Sequence, residues 1–276
     1  VTKWLKLCGE DNMKSIFIND ITLRDGEQAA GVNFLPKEKL RIAEQLARMK
    51  IPIIEAGFAI ASESDFQAID LISSELGKKD GPIICAMARA NRKDIEVAAE
   101  SVKRAAKGRV QIVLATSDIH LQYKLKKTRA QIKEIAYETV KYATTLVDDV
   151  EFAAEDATRT ELDFLIDVFK TCVEAGARTL EIPDTTGYAT PDEYRSIVKA
   201  VVGSIPKTVI VATHCHDDLG LAVANTLAGI MGGARQVETT VNGIGERVGN
   251  AALEEVIMAL RTRCNYYGIT LDVDTT

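Results

Sequence analysis

Short apolar runs recur eight times along this chain, each followed by a stretch with helical spacing, and that alternation limits the fold more than any other feature. The runs read as strands at 15–23, 51–58, 82–88, 109–116, 149–154, 179–183, 209–213 and 236–241. Helices are predicted at 36–49, 62–76, 92–107, 128–147, 161–175, 191–203, 219–232 and 251–267. In the first of these Leu40, Ala43, Leu46 and Ala47 share a face, and Pro36 suits an opening turn. Eight such units in 276 residues match a (β/α)8 TIM barrel, which typically takes about 250. A doubly wound open sheet has the same alternation. Two features favour the barrel: no Gly-x-Gly-x-x-Gly follows the first strand, and polar residues stand at nearly every strand end, which a barrel gathers at one mouth.

Those strand ends carry the chemistry. The first offers Asp20, Thr22, Arg24 and Asp25, and the second Glu55. The fifth brings Glu151 and Glu155, the sixth Glu181, Asp184 and Thr185, and the eighth Glu238, Thr240 and Asn242. The seventh ends in Thr213-His214-Cys215-His216-Asp217-Asp218, which spends two of the chain's three histidines. Alternation along a strand turns His214 and His216 to one face and Cys215 to the other. Two imidazoles on one face can hold a divalent ion, and buried carboxylates themselves require partners or a cation. His120 either lines the mouth after the fourth strand or caps a helix. The basic run Lys124-Leu-Lys-Lys-Thr-Arg129 reads as a solvated face, with contact to a ligand's phosphate as the lesser reading.

Composition narrows the class of protein. Apolar content of 46% with 27% charged residues is that of a soluble globular chain, and a net charge of −6 argues against a nucleic-acid surface. No apolar run approaches the roughly 20 residues that span a bilayer, and no signal peptide is recognisable. The five cysteines, Cys8, Cys85, Cys172, Cys215 and Cys264, form no Cys-x-x-Cys and read as reduced thiols of a cytoplasmic protein. Residues 1–12 carry no pattern and are expected to be a poorly ordered extension, followed by a single domain over 13–276.

Three motifs in order resemble those of the isopropylmalate and homocitrate synthases, across 16–260. The first is Leu23-Arg24-Asp25-Gly26-Glu27-Gln28 with Lys39 eleven positions later. The second is His214-Cys215-His216-Asp217-Asp218-Leu219-Gly220, and the third the glycine-rich loop Asn242-Gly243-Ile244-Gly245-Glu246-Arg247-Val248-Gly249-Asn250. The resemblance implies a catalytic barrel that joins acetyl-CoA, as co-substrate, to a 2-oxo acid. It implies one divalent metal ion held by Asp25, His214, His216 and Asn250. One carboxylate, two imidazoles and an amide oxygen suit Mn, Mg or Zn.

The resemblance also assigns roles. Arg24 would neutralise the developing alkoxide, Thr185 would hold the substrate carboxylate, and Glu155 would stand near the chemistry. Gly243, Gly245 and Gly249 would let the loop place Asn250 and admit acetyl-CoA. Small-molecule substrates and a homodimer of the full-length protein go with this reading. The family's accessory and regulatory regions are expected to be absent here, so the barrel alone should bind metal and turn over slowly or not at all.

The stretches Glu55-Ala-Gly-Phe58, 155–160 and 182–185 resemble isopropylmalate synthases more than homocitrate synthases, favouring 2-oxoisovalerate over 2-oxoglutarate and pyruvate. Ala59, Ala153, Glu181 and Thr186 depart from the usual residues. A negative Glu181 would disfavour a dicarboxylate substrate. A lyase or aldolase of the same superfamily, or a barrel that only binds metabolites, are the other classes open to this sequence.

Overall fold

The computed structural model describes residues 14–275; the extension expected at 1–12 lies outside them. Eight parallel strands close into a barrel: β1 (Phe17–Asp20), β2 (Ile53–Gly57), β3 (Ile83–Arg89), β4 (Gly108–Ala115), β5 (Asp149–Glu155), β6 (Thr179–Asp184), β7 (Ile210–Cys215) and β8 (Gln236–Thr239). Closure is the pairing of β1 with β8 in the register Phe17↔Gln236 to Asp20↔Thr239. The helices α1 (Pro36–Arg48), α2 (Glu63–Leu76), α3 (Arg92–Val102), α4 (Arg129–Ala143), α5 (Leu162–Ala175), α6 (Pro191–Ser204), α7 (Ala222–Gly232) and α8 (Leu253–Thr262) follow the strands in turn. The (β/α)8 expectation holds and the open sheet is excluded.

Several predicted helices stop short, for identifiable reasons. α4 ends at Ala143, because the Thr144 and Thr145 hydroxyls donate to Lys141 O and Tyr142 O at 2.8 and 2.7 Å and compete with the helix. α7 starts only at Ala222, whose N–H donates to Asp217 Oδ1 at 2.8 Å. The predicted 251–267 helix breaks at Arg263, followed by the short helix Cys264–Tyr267. The strands β1 and β8 are shorter than their apolar runs, since the chain turns at residue 21 and again at residue 240 toward the mouth.

Between strands and helices lies an aliphatic annulus that includes Ile18, Ile54, Ile84, Val110, Ile112, Phe152, Leu180, Ile182 and Val237, all fully buried. Inside the strands the lining is different. Gln111 on β4 donates to Glu181 on β6 at 2.6 Å, and Arg109 on β4 donates to Gln236 on β8 at 2.8 Å. Gln236 donates to Glu151 on β5 at 2.8 Å, and Asn19 on β1 donates to Glu238 on β8 at 2.9 Å. The first three of these bonds join strands that are not neighbours and can meet only across the lumen, while the fourth joins the paired strands β1 and β8, so the barrel is filled by a polar network.

Two thiol groups, Cys172 and Cys215, and Cys85 with them, are free and buried. Cys264 is disulfide-bonded, which corrects the reading of all the cysteines as reduced thiols. It sits half-buried near the C-terminal end of the described residues, whereas Cys85 and Cys215 lie on barrel strands and Cys172 on α5. No helix among the described residues is long and apolar enough to cross a membrane.

Candidate metal centre

The turn after β1 builds one side of the site. Ile21 O accepts from the N–H groups of Arg24, Asp25 and Gly26 at 3.1, 2.9 and 3.2 Å, which winds the chain tightly and presents Arg24 and Asp25 over the mouth. The other side is β7, whose alternation puts His214 and His216 on one face as expected. Their Nε2 atoms lie 3.3 Å apart, and Asp25 Oδ2 lies 3.4 Å from His216 Nε2 and 3.9 Å from His214 Nε2. The rings meet edge to face, 81° between planes. Asp25, His214 and His216 are all buried and form a group able to hold a metal ion.

Each histidine is held by its other nitrogen. His214 Nδ1 donates to Glu238 Oε2 at 2.8 Å, and His216 Nδ1 donates to Thr185 O at 2.7 Å. A hydrogen bond at Nδ1 fixes the tautomer and leaves the Nε2 lone pair for a metal. Burial, then the neighbouring His216, pushes His214 down to about 3, so this imidazole is neutral, as a ligand must be. Burial also opposes charge on His216, but its hydrogen bond to Asp25 overrides this and holds it above the usual range. Burial would raise Asp25; the Arg24 guanidinium beside it wins and holds the carboxylate well below its usual range.

The glycine-rich loop closes the site from β8. Asn250 Nδ2 and Glu246 N donate to Asp25 Oδ1 at 2.7 and 3.1 Å, while Arg24 Nη1 takes Oδ2 at 2.6 Å. Asn250 Oδ1 is buried without a hydrogen-bond partner, as an oxygen waiting for a cation would be. A Cβ on Gly245 would collide with Asn250 Nδ2, and one on Gly249, which has φ +110°, with Gly243 O. The sequence places glycine where this loop folds onto Asn250 and Asp25. The donor set therefore fits a divalent cation: three facing ligand atoms, one orphaned amide oxygen and fixed tautomers.

Arg24, Asp25, His214, His216, Asn250 and Thr185 come together. Arg24 also donates through Nε to Glu55, so its charge is shared between two carboxylates. Glu155 stands apart, in an ion pair with Lys124 Nζ at 2.7 Å and beside His120. The Thr185 hydroxyl accepts from Asp156 N at 2.9 Å and keeps its own proton to donate. His120 pairs through Nδ1 with Asp156 and stands beside Glu155, both at the end of β5.

Burial, with Glu238, Glu151 and Glu55 nearby, pushes the Glu181 carboxyl well above the usual range. Sequence reasoning gave no role to Arg247, which donates to Thr185 O at 2.7 Å and to Asp218 Oδ1 at 2.9 Å and ties the loop to the ends of β6 and β7. It also left Lys39 without a role. That side chain is 1% exposed and joins Glu27 at 2.6 Å to Asp65 at 2.9 Å, anchoring the turn that carries Arg24 and Asp25.

Known proteins agree with this architecture. The 2-isopropylmalate synthase of Nostoc sp. is 53% identical over 92% of this chain and 48% of its own length. That of Pyrococcus abyssi is 50% identical over 95% of this chain and 54% of its own, and the 2-isopropylmalate synthase 1 of Caldanaerobacter subterraneus 51% over 95% and 66%. The chain thus spans about half the length of most of the curated relatives it matches. Among solved structures, the HMG-CoA lyase of Bacillus subtilis superposes with a TM-score of 0.78 at 20% identity, covering 95% of this chain and 89% of that one. Hydroxymethylglutaryl-CoA lyase from Pseudomonas aeruginosa gives 0.79 at 22%, with the same coverage; identities this low bear on the fold alone. The HMGL-like family matches residues 15–276, the whole barrel together with the group able to hold a metal ion, and the chain belongs to that family.

Proposed function

We propose that the full-length protein condenses acetyl-CoA with a 2-oxo acid, 2-oxoisovalerate first among them, to give 2-isopropylmalate. The observation that carries the reading is the meeting of Asp25, His214 and His216 at the barrel mouth, with Asn250 Oδ1 orphaned beside them. Half the residues are shared with 2-isopropylmalate synthases along more than nine-tenths of the chain, which supports the substrate. Asp25, His214, His216 and Asn250 would hold one divalent ion, of Mn, Mg or Zn. Such an ion, when bound, acts as a Lewis acid on the keto group of a 2-oxo acid.

The protein's own groups supply the rest. Arg24, a permanent cation beside the site, offsets negative charge developing on the keto oxygen as the new carbon–carbon bond forms. Thr185 donates its free hydroxyl proton to the substrate carboxylate. Glu155 stands at the mouth as a base for the acetyl methyl group, and Gly243, Gly245 and Gly249 keep the loop thin where acetyl-CoA enters. A dimer of the full-length protein in the cytoplasm completes the proposal.

The test is free-thiol release from acetyl-CoA by the full-length protein, offered 2-oxoisovalerate, pyruvate or 2-oxoglutarate in turn, with elemental analysis alongside. We expect the fastest release with 2-oxoisovalerate and about one bound metal per chain, lost in His214→Ala. Faster turnover of either rival acid would replace the substrate. Undiminished metal in the variant would remove the ligand assignment.

A further inference from the structure

A second ionisable cluster stands at the mouth beside the metal centre. The chain leaving β4 enters one π-helical stretch, His120–Leu125. Such wide turns recur at functional positions, because they push side chains out of ordinary helical register. Here the turn carries His120 against the loop after β5. His120 Nδ1 lies 3.0 Å from Asp156 Oδ2 and 2.8 Å from Ser117 Oγ, and its Nε2 lies 3.5 Å from Glu155 Oε1. Glu155 is also gripped by Lys124 Nζ at 2.7 and 2.9 Å.

Asp156 is the hub. It is fully buried, adopts a left-handed backbone with φ +66°, and is clasped by Arg159 at 2.7 and 2.8 Å. Ser117 Oγ donates to the same carboxylate. Its backbone N–H donates to Thr185 Oγ1 at 2.9 Å, and Thr185 O in turn accepts from His216 Nδ1 at 2.7 Å. One aspartate therefore sets His120, Glu155 and the residue that orients a metal ligand in a single frame.

A buried carboxylate on one imidazole nitrogen fixes the tautomer and aims the other nitrogen outward. A histidine that only pinned the loop would be served by Nδ1. The second nitrogen is instead presented at the mouth, on a side chain 20% exposed, facing a carboxylate. The remaining gap of 3.5 Å is of the length that closes when a substrate fills such a site.

We propose that His120 is a proton-relay residue of the condensation, exchanging with Glu155 the proton that leaves the acetyl methyl group. This rests on the functional reading above. The Glu155 carboxylate, released by Lys124, takes a methyl proton as the methyl carbon bonds to the keto carbon of the 2-oxo acid. The keto π pair moves to oxygen, where Arg24 stands, and that oxygen takes a proton from water. Glu155 passes its proton to His120 Nε2, which returns it to solvent, and water then hydrolyses the thioester to the acid and free CoA. The charged or titratable groups that face the relay are Lys124 from its own turn and Glu155, Asp156 and Arg159 from the β5 loop.

The test uses the full-length protein and thiol release with 2-oxoisovalerate. His120→Gln, which keeps a hydrogen-bonding side chain but cannot carry a proton, should lower kcat at least tenfold. Both KM values should stay within about threefold and metal content should not change. In His120→Ala, added imidazole should recover part of the lost rate, and one limb of the wild-type pH profile should flatten in both variants. Loss confined to KM, absence of imidazole rescue together with unchanged pH limbs, or a His120→Gln enzyme at wild-type speed would each overturn the relay. A wild-type protein that releases no thiol with any of the three acids would sink the functional reading and the relay with it; an active wild type with an unaffected Gln variant sinks the relay alone.

Discussion

The same eight strands face two very different linings. Along β5, Val150, Phe152 and Ala154 point out into the aliphatic annulus, while Glu151 and Ala153 point in. A (β/α)8 interior is ordinarily filled by layers of branched aliphatic residues. Here the lumen holds Asn19, Glu55, Arg109, Gln111, Glu151, Glu181, Gln236 and Glu238, all buried. The annulus gains stability from area removed from water, about 25 cal/mol per Å². The lumen gains little of that and must satisfy every charge it buries. What it provides is a fixed floor: Glu238 holds His214 from below, and Glu55 holds Arg24 from the side. Stability and placement are thus divided between the two faces of each strand.

The division can be broken at Arg109, which pairs with Asp149 and Glu151 and donates to Gln236. Arg109→Met strands those acids, and we expect a loss of about 3–5 kcal/mol in urea unfolding. Adding Glu151→Gln should recover part of it. A loss under about 1 kcal/mol would mean that the lumen does not depend on its charge pairing.

Asp20 tests the comparison from the annulus side. It is fully buried, its Oδ2 has no partner, and burial raises it to about 7. Its unfolded counterpart loses its proton near 3.8, so folding is opposed increasingly as pH rises from there to about 7 and by a constant amount above. Asp20→Asn should therefore match the wild type near pH 4 and exceed it at pH 8. The ceiling on that gain is about 4 kcal/mol, and we expect about 2, because the new amide also goes unpaired. A gain that shrinks as pH rises would reverse the assignment.

The smallest effect belongs to the annulus proper. Ile112→Val removes one buried methylene and should cost about 1 kcal/mol, equally at pH 5 and pH 8. A pH-dependent cost, read from thermal melts, would show that the two linings are coupled.

The annulus is the part of this molecule that a sequence displays openly. Apolar periodicity gives strands and helices because burial selects it residue by residue, and the His-x-His pair announced one face of β7 for the same reason. What stays hidden lies where partners are remote in sequence. The hold of Glu238 on His214 is set by the register between the neighbouring strands β7 and β8, and the Glu181 carboxyl is raised by burial and by acids on β2, β5 and β8. Neither relation has a local signature. The overrun of α4 is a milder case: Thr144 and Thr145 carried the stop signal, but as side-chain bonds to the helix end rather than as a glycine or proline.

Closure of β1 onto β8 has a temporal meaning. Asn19 and Glu238 are 219 positions apart, and Asn250 and Asp25 are 225 apart, so these bonds are among the most non-local contacts a chain of this length can make. Local helices and neighbouring strand pairs ask for far smaller loops and can precede them. A folding chain with all its helices and seven aligned strands still has Asp25 on one free edge and the two histidines near the other. The ligand set exists only once the first strand has met the last.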